Sequence, residues 1–361
     1  MTRWPDRRIL DLFGIELPIL QAPMAGASTP EMAIAVGKAG GLGALAAAML
    51  TPQQMAGAIE TIRAVSPAPL NVNFFCHTPP ADEPQRLAAW QARLAPYYAE
   101  LGLDPAASTP AGGRAPFDDA FCREVERLKP EVVSFHFGLP EASLLARVRA
   151  TGARVIASAT TVAEARFLES HGCDAIIAMG VEAGGHRGNF LTHDMASQIG
   201  TFALVPQVAD AVSVPVIAAG GISDGRGVAA AFMLGASAVQ VGTAYLFSPE
   251  ATVKPWHRAA LETAESDGTS LTNIFTGRPA RGIVNRVMRE VGPLSSDAPA
   301  FPLAGGALTP LRAKTEAAGS GEFSNMWSGQ AARLAPRLPA GELTRKLAKD
   351  GLARLSGAVV Q

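Results

Sequence analysis

The run Asp174-Ala175-Ile176-Ile177-Ala178 is followed, after Met179-Gly180, by Val181-Glu182-Ala183-Gly184-Gly185-His186-Arg187-Gly188, and more strand-like segments come after it. This order places the second stretch where a strand of a parallel barrel meets its loop, the place where such folds keep their chemistry. Two adjacent glycines let a backbone approach a ligand closely. The next side chain, His186, exchanges protons near neutral pH. The stretch reads as an active-site loop.

Working outward, short apolar runs alternate with amphipathic segments, as expected of repeated βα units around a parallel sheet. The strands are expected at Pro18–Ala22, Leu42–Leu45, Leu70–Phe74, Val132–Phe135, Arg154–Ala157, Ala175–Ala178, Val214–Ala218 and Ala238–Val241. Helices fit between them, at Pro30–Ala39 after Ser28-Thr29, at Pro52–Val65 after Thr51, and at Val162–His171 after Thr160-Thr161. Eight strands point to an α/β fold of the (β/α)8 TIM barrel type, with an open doubly wound sheet as the competitor. Two regions break the repeat. One is an insertion at about 78–129, with a helix over Glu83–Leu101 and a flexible Gly112-Gly113 passage. The other is the segment after Ser248, which mixes helices with Gly and Pro turns. The expected organisation is a barrel over 1–248, a small lid domain over 249–320, and a C-terminal segment, 321–361, returning to the barrel with a terminal helix over Glu342–Leu355.

With 361 residues, 48% of them hydrophobic, the chain can bury a large core. Thirty-one basic residues against 32 acidic ones, with no basic run, speak against a nucleic-acid or anionic-membrane partner and favour small ligands. The first twenty residues carry Arg3, Asp6, Arg7, Arg8, Asp11 and Glu16, which does not fit a signal peptide. No stretch reads as a membrane span, so a cytoplasmic protein is expected. Cys76, Cys122 and Cys173 are too few and too far apart for a disulfide framework or a zinc motif, and read as small buried hydrophobes. The six histidines contain no i, i+4 pair, and no metal site is expected.

Pro215-Val216-Ile217-Ala218-Ala219-Gly220-Gly221-Ile222 and Gln240-Val241-Gly242-Thr243 close the last two strands. Loops at these two positions commonly bind phosphate through glycine N–H groups. The plainer alternative is that the glycines only make tight turns. Gln21-Ala22-Pro23-Met24-Ala25-Gly26 ends the first strand and Asn71-Val72-Asn73 lies in the third. Together they supply the apolar shelf and the amide that an isoalloxazine ring needs. Taken singly, Met24 reads equally as core packing and Asn71 as a loop cap.

Gln21 to Gly26, Asn71-Val72-Asn73-Phe74, Ser134-Phe135-His136-Phe137-Gly138, Glu182 to Gly188, Ala219 to Asp224 and Gln240 to Thr243 together resemble the motifs of the nitronate monooxygenases, formerly 2-nitropropane dioxygenases. The two histidine motifs resemble class I of that family. The resemblance runs from about residue 16 to Phe323-Ser324-Asn325-Met326-Trp327-Ser328-Gly329-Gln330. It implies FMN at the barrel rim and oxidation of alkyl nitronates, including propionate 3-nitronate, by O2 to a carbonyl compound and nitrite, with one-electron transfer to FMN. Carried over by position, Ala22, Pro23, Met24 and Asn71 lie along the flavin. Gly184, Gly185, Gly220, Gly221, Gln240, Val241, Gly242 and Thr243 hold its phosphate and adjoining edge. Relatives have glutamine where this chain has Met179, so one amide contact to FMN is missing. The resemblance makes His186 the catalytic residue. His136 is expected to face the same cavity and bind substrate, with a structural histidine as the alternative, and Lys314 and Arg187 are cations that either attract the anionic nitronate or are solvated surface charges. The macromolecular assembly allowed by this reading is a homodimer.

Three other readings stay open on sequence alone. One keeps FMN but reduces it with NADH for a quinone or enoyl thioester. Another keeps only the phosphate loops, as a cofactor-free isomerase or aldolase. The last is a non-catalytic flavin carrier or regulatory protein.

Overall fold

The computed structural model describes residues 3–104, 114–263, 265 and 267–357. The expected Gly112-Gly113 passage lies outside the described residues. Short helix α1 (Arg8–Phe13) leads into β1 (Ile19–Gln21), followed by β2 (Gly43–Ala46), β3 (Leu70–Phe75), β4 (Val132–His136), β5 (Arg154–Ala159) and β6 (Ala175–Met179). A two-residue strand, β7 (Gly185–His186), stands apart from these, and β8 (Val216–Ala219) and β9 (Ala238–Val241) complete the parallel set. The interleaved helices are α2 (Pro30–Lys38), α3 (Pro52–Val65), α4 (Pro84–Glu100), α5 (Asp119–Leu128), α6 (Ala142–Ala150), α7 (Val162–Ser170), α8 (Thr201–Ala211) and α9 (Gly225–Met233). The eight expected strands are all present, each within a residue or two of its expected ends.

Local chemistry explains where the helices start. Thr29 accepts the Met32 N–H and Thr161 accepts the Glu164 N–H. Thr51 and Gln54 form a reciprocal capping box ahead of α3, and Pro30 and Pro52 occupy first helical positions, where proline's missing N–H costs nothing. Asp224 caps α9 through the N–H groups of Arg226 and Gly227.

All eight parallel strands belong to one sheet in the spatial order β1-β9-β8-β6-β5-β4-β3-β2. A parallel bridge between Leu20 and Leu42 brings its two ends together and closes the cylinder, which excludes the open sheet. The seam is reinforced by Gln21, a fully buried amide. Its Oε1 accepts the Ala44 N–H at 2.8 Å, and its Nε2 donates to the Ala22 carbonyl and to Ser28 Oγ, both at 2.9 Å. The main core lies between strands and helices and includes Ile19, Val72, Phe74, Phe135, Ile156, Ile176 and Ile217.

After the barrel come α10 (Pro255–Thr263), β10 (Thr269–Thr272), β11 (Ala280–Ile283), α11 (Arg286–Val291), α12 (Gly305–Ala317) and α13 (Ala340–Leu355). A second apolar cluster joins Trp90, Leu94, Tyr97 and Tyr98 of α4 to Val287 and Met288 of α11 and to Leu308 and Leu311 of α12. Trp90 Nε1 donates to the Ala304 carbonyl and Tyr98 Oη to the Ala307 carbonyl. The insertion's helix therefore packs with the segment after the barrel. Helix α13 packs on α2 and α9, burying Leu343, Leu347 and Ala348 in the main core, while Thr344 hydrogen-bonds Tyr245 Oη at 2.7 Å. No described helix is long and apolar enough to cross a membrane.

Replacing Gln21 with leucine keeps the volume but leaves the buried Ala44 N–H without an acceptor, an omission that costs about 1–3 kcal/mol. Q21L should lower the midpoint of urea unfolding accordingly. An unchanged midpoint would mean that the seam does not depend on this amide.

Candidate active site

The C-terminal ends of the barrel strands open into a cavity of about 490 Å³. Part of its lining is backbone-rich: Ala22, Pro23 and Met24 after β1, Ala183, Gly184 and Gly185 after β6, Gly220 and Gly221 after β8, and Gly242 and Thr243 after β9. Met179 and Gln240 add side chains at the ends of β6 and β9. Aromatic and cationic side chains complete the lining, with Phe75, His136, His186, Trp327, Arg114, Lys254 and Arg312.

The glycines serve different ends. Gly220 and Gly221 have φ of 104° and 70°, a region that favours glycine, and turn the backbone along the cavity wall. A methyl group on Gly184 would lie 2.5 Å from the Gly329 nitrogen, so this glycine admits the chain's own Ser328-Gly329 segment. That segment is tied down by Gly329 N–H donating to Thr243 Oγ1 (2.9 Å) and Gln330 N–H donating to the Glu182 carbonyl (3.0 Å). Thr243 keeps its own hydroxyl proton for another acceptor. Gln240 Oε1 is buried in the cavity wall without a hydrogen-bond partner.

His186 is held from outside the barrel. Strand β7 pairs antiparallel with β11, with His186 opposite Ala280 and Gly185 opposite Arg281, in a three-stranded sheet of order β10-β11-β7. The same segment supplies Thr276, whose Oγ1 is 3.0 Å from His186 Nε2 and lies within 3.4 Å of the Arg278 carbonyl. A hydroxyl can donate to or accept from an imidazole nitrogen, so this contact orients the ring and occupies Nε2, while no hydrogen bond to Nδ1 occurs among the described residues. Phe75, Phe137, Phe301 and Trp327 surround the ring, with centroids 5.3–6.0 Å away.

His136 lines the cavity, but both its nitrogens are engaged. Nε2 lies 3.2 Å from the His186 carbonyl and must donate to it, so Nδ1 accepts from Ser158 Oγ at 2.5 Å. Gly188 leaves room for this pair, since a methyl there would stand 2.8 Å from Ser158 Oγ and 2.9 Å from His136 Cε1. The geometry makes His136 a support for the His186 backbone rather than a free ligand donor.

Both rings are uncharged. Desolvation, then the charge of Arg278, lowers His136 to about 3. His186 is pushed well below the usual 6.5, first by desolvation, then by the charge of Arg114, with the neighbouring His136, Arg278 and His77 also opposing its protonation. A neutral imidazole is the form able to accept a proton.

The structure redistributes several expected positions. Asn71 and Asn73 share one face of β3, since side chains alternate along a strand, but only Asn73 reaches the cavity wall; its amide donates to the Ser134 carbonyl and to Ser134 Oγ. Asn71, nearly fully buried, is two residues further from the C-terminal end of β3. Val241 is in the core and contributes its carbonyl to the Ala22 N–H. Arg187 is fully buried, and its guanidinium donates to the Gly180 and Met179 carbonyls (2.7 Å each) and to Gln198 Oε1 (2.8 Å), so it braces the end of β6 instead of attracting substrate. Lys314 is exposed on α12 and does not line the cavity; its helix neighbours Arg312 and Glu316 do. Sequence reasoning missed Ser158, Thr276, Arg278 and Arg312. Only the Thr276-Gly277-Arg278-Pro279 turn carried a signal, as a break in the repeat.

The three cysteines form no disulfide; burial raises Cys173 to about 12 and holds Cys76 well above the ordinary thiol range, so neither ionises at neutral pH. No group of His, Cys, Asp and Glu among the described residues could hold a metal ion.

A closed (β/α)8 barrel with a deep cavity at the C-terminal rim, lined by glycine turns and a neutral histidine, defines the class as a TIM-barrel enzyme. The family model for nitronate monooxygenase matches residues 6–350, and the chain belongs to that flavin-dependent family. It is 41% identical over 345 residues to a nitronate monooxygenase of Pseudomonas aeruginosa, covering 95% of this chain and 98% of that one. A nitronate monooxygenase of Paraburkholderia phytofirmans is also 41% identical, over 347 residues, covering 95% and 94%. Among solved structures, the nitroalkane oxidase of Streptomyces ansochromogenes superposes with a TM-score of 0.88 at 40% identity, covering 97% of this chain and 99% of that one. FabK from Thermotoga maritima superposes with a TM-score of 0.71 at 29% identity, covering 97% of each.

Buried histidines also set an acid limit. Desolvation lowers His136 to about 3 and His77 and His257 each to about 4, whereas imidazoles of the unfolded chain titrate near 6.5. Below 6.5 the unfolded chain takes up the protons, so stability is complete above that value and declines as pH falls toward 4. Each histidine contributes a loss of about 1 kcal/mol per pH unit. Thermal midpoints at pH 7, 6 and 5 should fall progressively. A flat profile would show that these rings protonate freely in the folded chain.

Proposed function

We propose that the chain oxidises alkyl nitronates, propionate 3-nitronate among them, with O2 and bound FMN, yielding a carbonyl compound and nitrite. The observation that carries this reading is the placement of one neutral imidazole, with Nδ1 unpartnered, in the same cavity as the glycine-lined shelf. The residues fit a flavin. Ala22, Pro23 and Met24 offer an apolar face, the orphaned Gln240 Oε1 suits an N–H or hydroxyl donor, and the Gly220-Gly221 and Gly242-Thr243 turns present backbone to a phosphate. Asn73 takes the place expected of Asn71, and Met179, Gly184 and Gly185 complete the wall. FMN, when bound, supplies the electron acceptor that no side chain here provides.

The chain's own residues hold substrate, move a proton and keep water out. His186 Nδ1 takes the α-proton of a neutral nitroalkane or hydrogen-bonds the already ionised nitronate. Thr276 orients the ring, and the His136–Ser158 pair supports the His186 carbonyl. Phe75, Phe137, Phe301 and Trp327 make the surroundings dry, which strengthens each polar contact to the substrate. We further read 249–320 as a cover over the mouth, with α4 of the 78–129 insertion as part of it and 321–361 as the return to the barrel.

Purified protein should be yellow and should consume oxygen rapidly with propionate 3-nitronate. Anaerobic NADH should leave the flavin spectrum unchanged; bleaching would move the assignment to a reductase. His186→Asn should lower kcat/KM for neutral nitroalkanes by about 10²–10⁴, the usual weight of a proton-transfer residue, while flavin content is retained. Thr276→Val should lower kcat/KM about tenfold, as expected when one ordinary hydrogen bond to a catalytic ring is lost. If T276V turns over like the parent, the orienting role is wrong.

A further inference from the structure

Three cations, Arg114, Lys254 and Arg312, line the cavity against one carboxylate, Glu316. Arg114 makes no hydrogen bond or ion pair among the described residues. The stretch preceding it, 105–113, contains no Asp or Glu. Arg312 is only loosely matched: its Nε is buried without a hydrogen bond, and the nearest Glu316 oxygen is 3.8 Å away. That same Glu316 oxygen accepts Ser324 Oγ at 2.5 Å and is thereby occupied. Arg114 and Arg312 are both half-buried, and two guanidinium groups lining a cavity that holds a single carboxylate leave unmatched positive charge suited to an anion.

We propose that Arg114 and Arg312 form a subsite for a carboxylate at the far end of the nitronate's carbon chain, making the enzyme selective for dianionic over monoanionic nitronates. The inference rests on the nitronate reading above and goes beyond it by assigning the residues that recognise the tail. His186 and both arginines line the same cavity, and the charge of Arg114 opposes a positive charge on His186, so a ligand with its reacting end at His186 can present its second charge to the arginines. Guanidinium groups suit the task because they bind carboxylates through paired, charge-assisted hydrogen bonds.

The test compares oxygen uptake by holoenzyme with propionate 3-nitronate and with propyl 1-nitronate, which has the same carbon count and no carboxylate. The parent should show the lower KM for the carboxylated substrate. Arg114→Ala and Arg312→Ala should each raise that KM at least about tenfold more than they raise the KM for propyl 1-nitronate, and be partly rescued by lysine. Succinate, used as a probe, should raise the thermal midpoint of the parent and do so less in either variant. Equal losses on both substrates would assign the arginines to the nitronate end or to structure, and unchanged KM values would remove them from recognition; either overturns the proposal. Absence of turnover with both nitronates in the parent would instead count against the underlying reading.

Discussion

The antiparallel pairing of Gly185-His186 with Ala280-Arg281 is the contact on which the site depends. A loop at the rim of a barrel has no partner within the barrel sheet, and a histidine on it would sample many positions. Here a segment nearly a hundred residues later brings a strand to that loop and hydrogen-bonds its backbone. The same segment carries Thr276 and Arg278 to the imidazole and its neighbours. Arg278 lies over the Phe137 ring, 3.9 Å from its centroid, and donates to the Asn189 carbonyl, so the aromatic wall and the rim loop are tied to one turn.

Electrostatics and burial act together on that framework. Aromatic rings remove water from around His186, and nearby guanidinium charges oppose a further positive charge on it. Both effects favour the neutral ring. The same guanidinium charges favour an anionic ligand in the cavity, so one arrangement both keeps the imidazole uncharged and suits a negatively charged ligand. Arg187, adjacent to His186 in sequence, takes no part in this because its donors are spent on the Met179 and Gly180 carbonyls. Its service is mechanical, holding the end of β6 beneath the loop.

Much of the fold was legible because its signals are local. Apolar runs bounded by capping Thr or Asp and by glycine turns specify strands and helices residue by residue, and the eight strands emerged with nearly their expected ends. The Gly220-Gly221 pair after β8 was legible for the same reason, since φ of 104° and 70° is a property of the backbone at those positions. Asn73 and Asn71 show where such reasoning stops. Alternation puts both on one face, but how far each lies from the rim depends on the stagger of neighbouring strands.

The amino-acid sequence alone pointed to the barrel, to its rim, and to His186 on a glycine-rich rim loop, because these follow from short-range periodicity and from residue types confined to turns. Only tertiary structure decided which nitrogen of His186 is engaged, that both nitrogens of His136 are hydrogen-bonded, and that Arg312 and not Lys314 lines the cavity. Those outcomes come from contacts between residues far apart in the chain, such as His186 with Thr276 and α4 with α12. No local pattern encodes the meeting of such segments; packing of the whole molecule does.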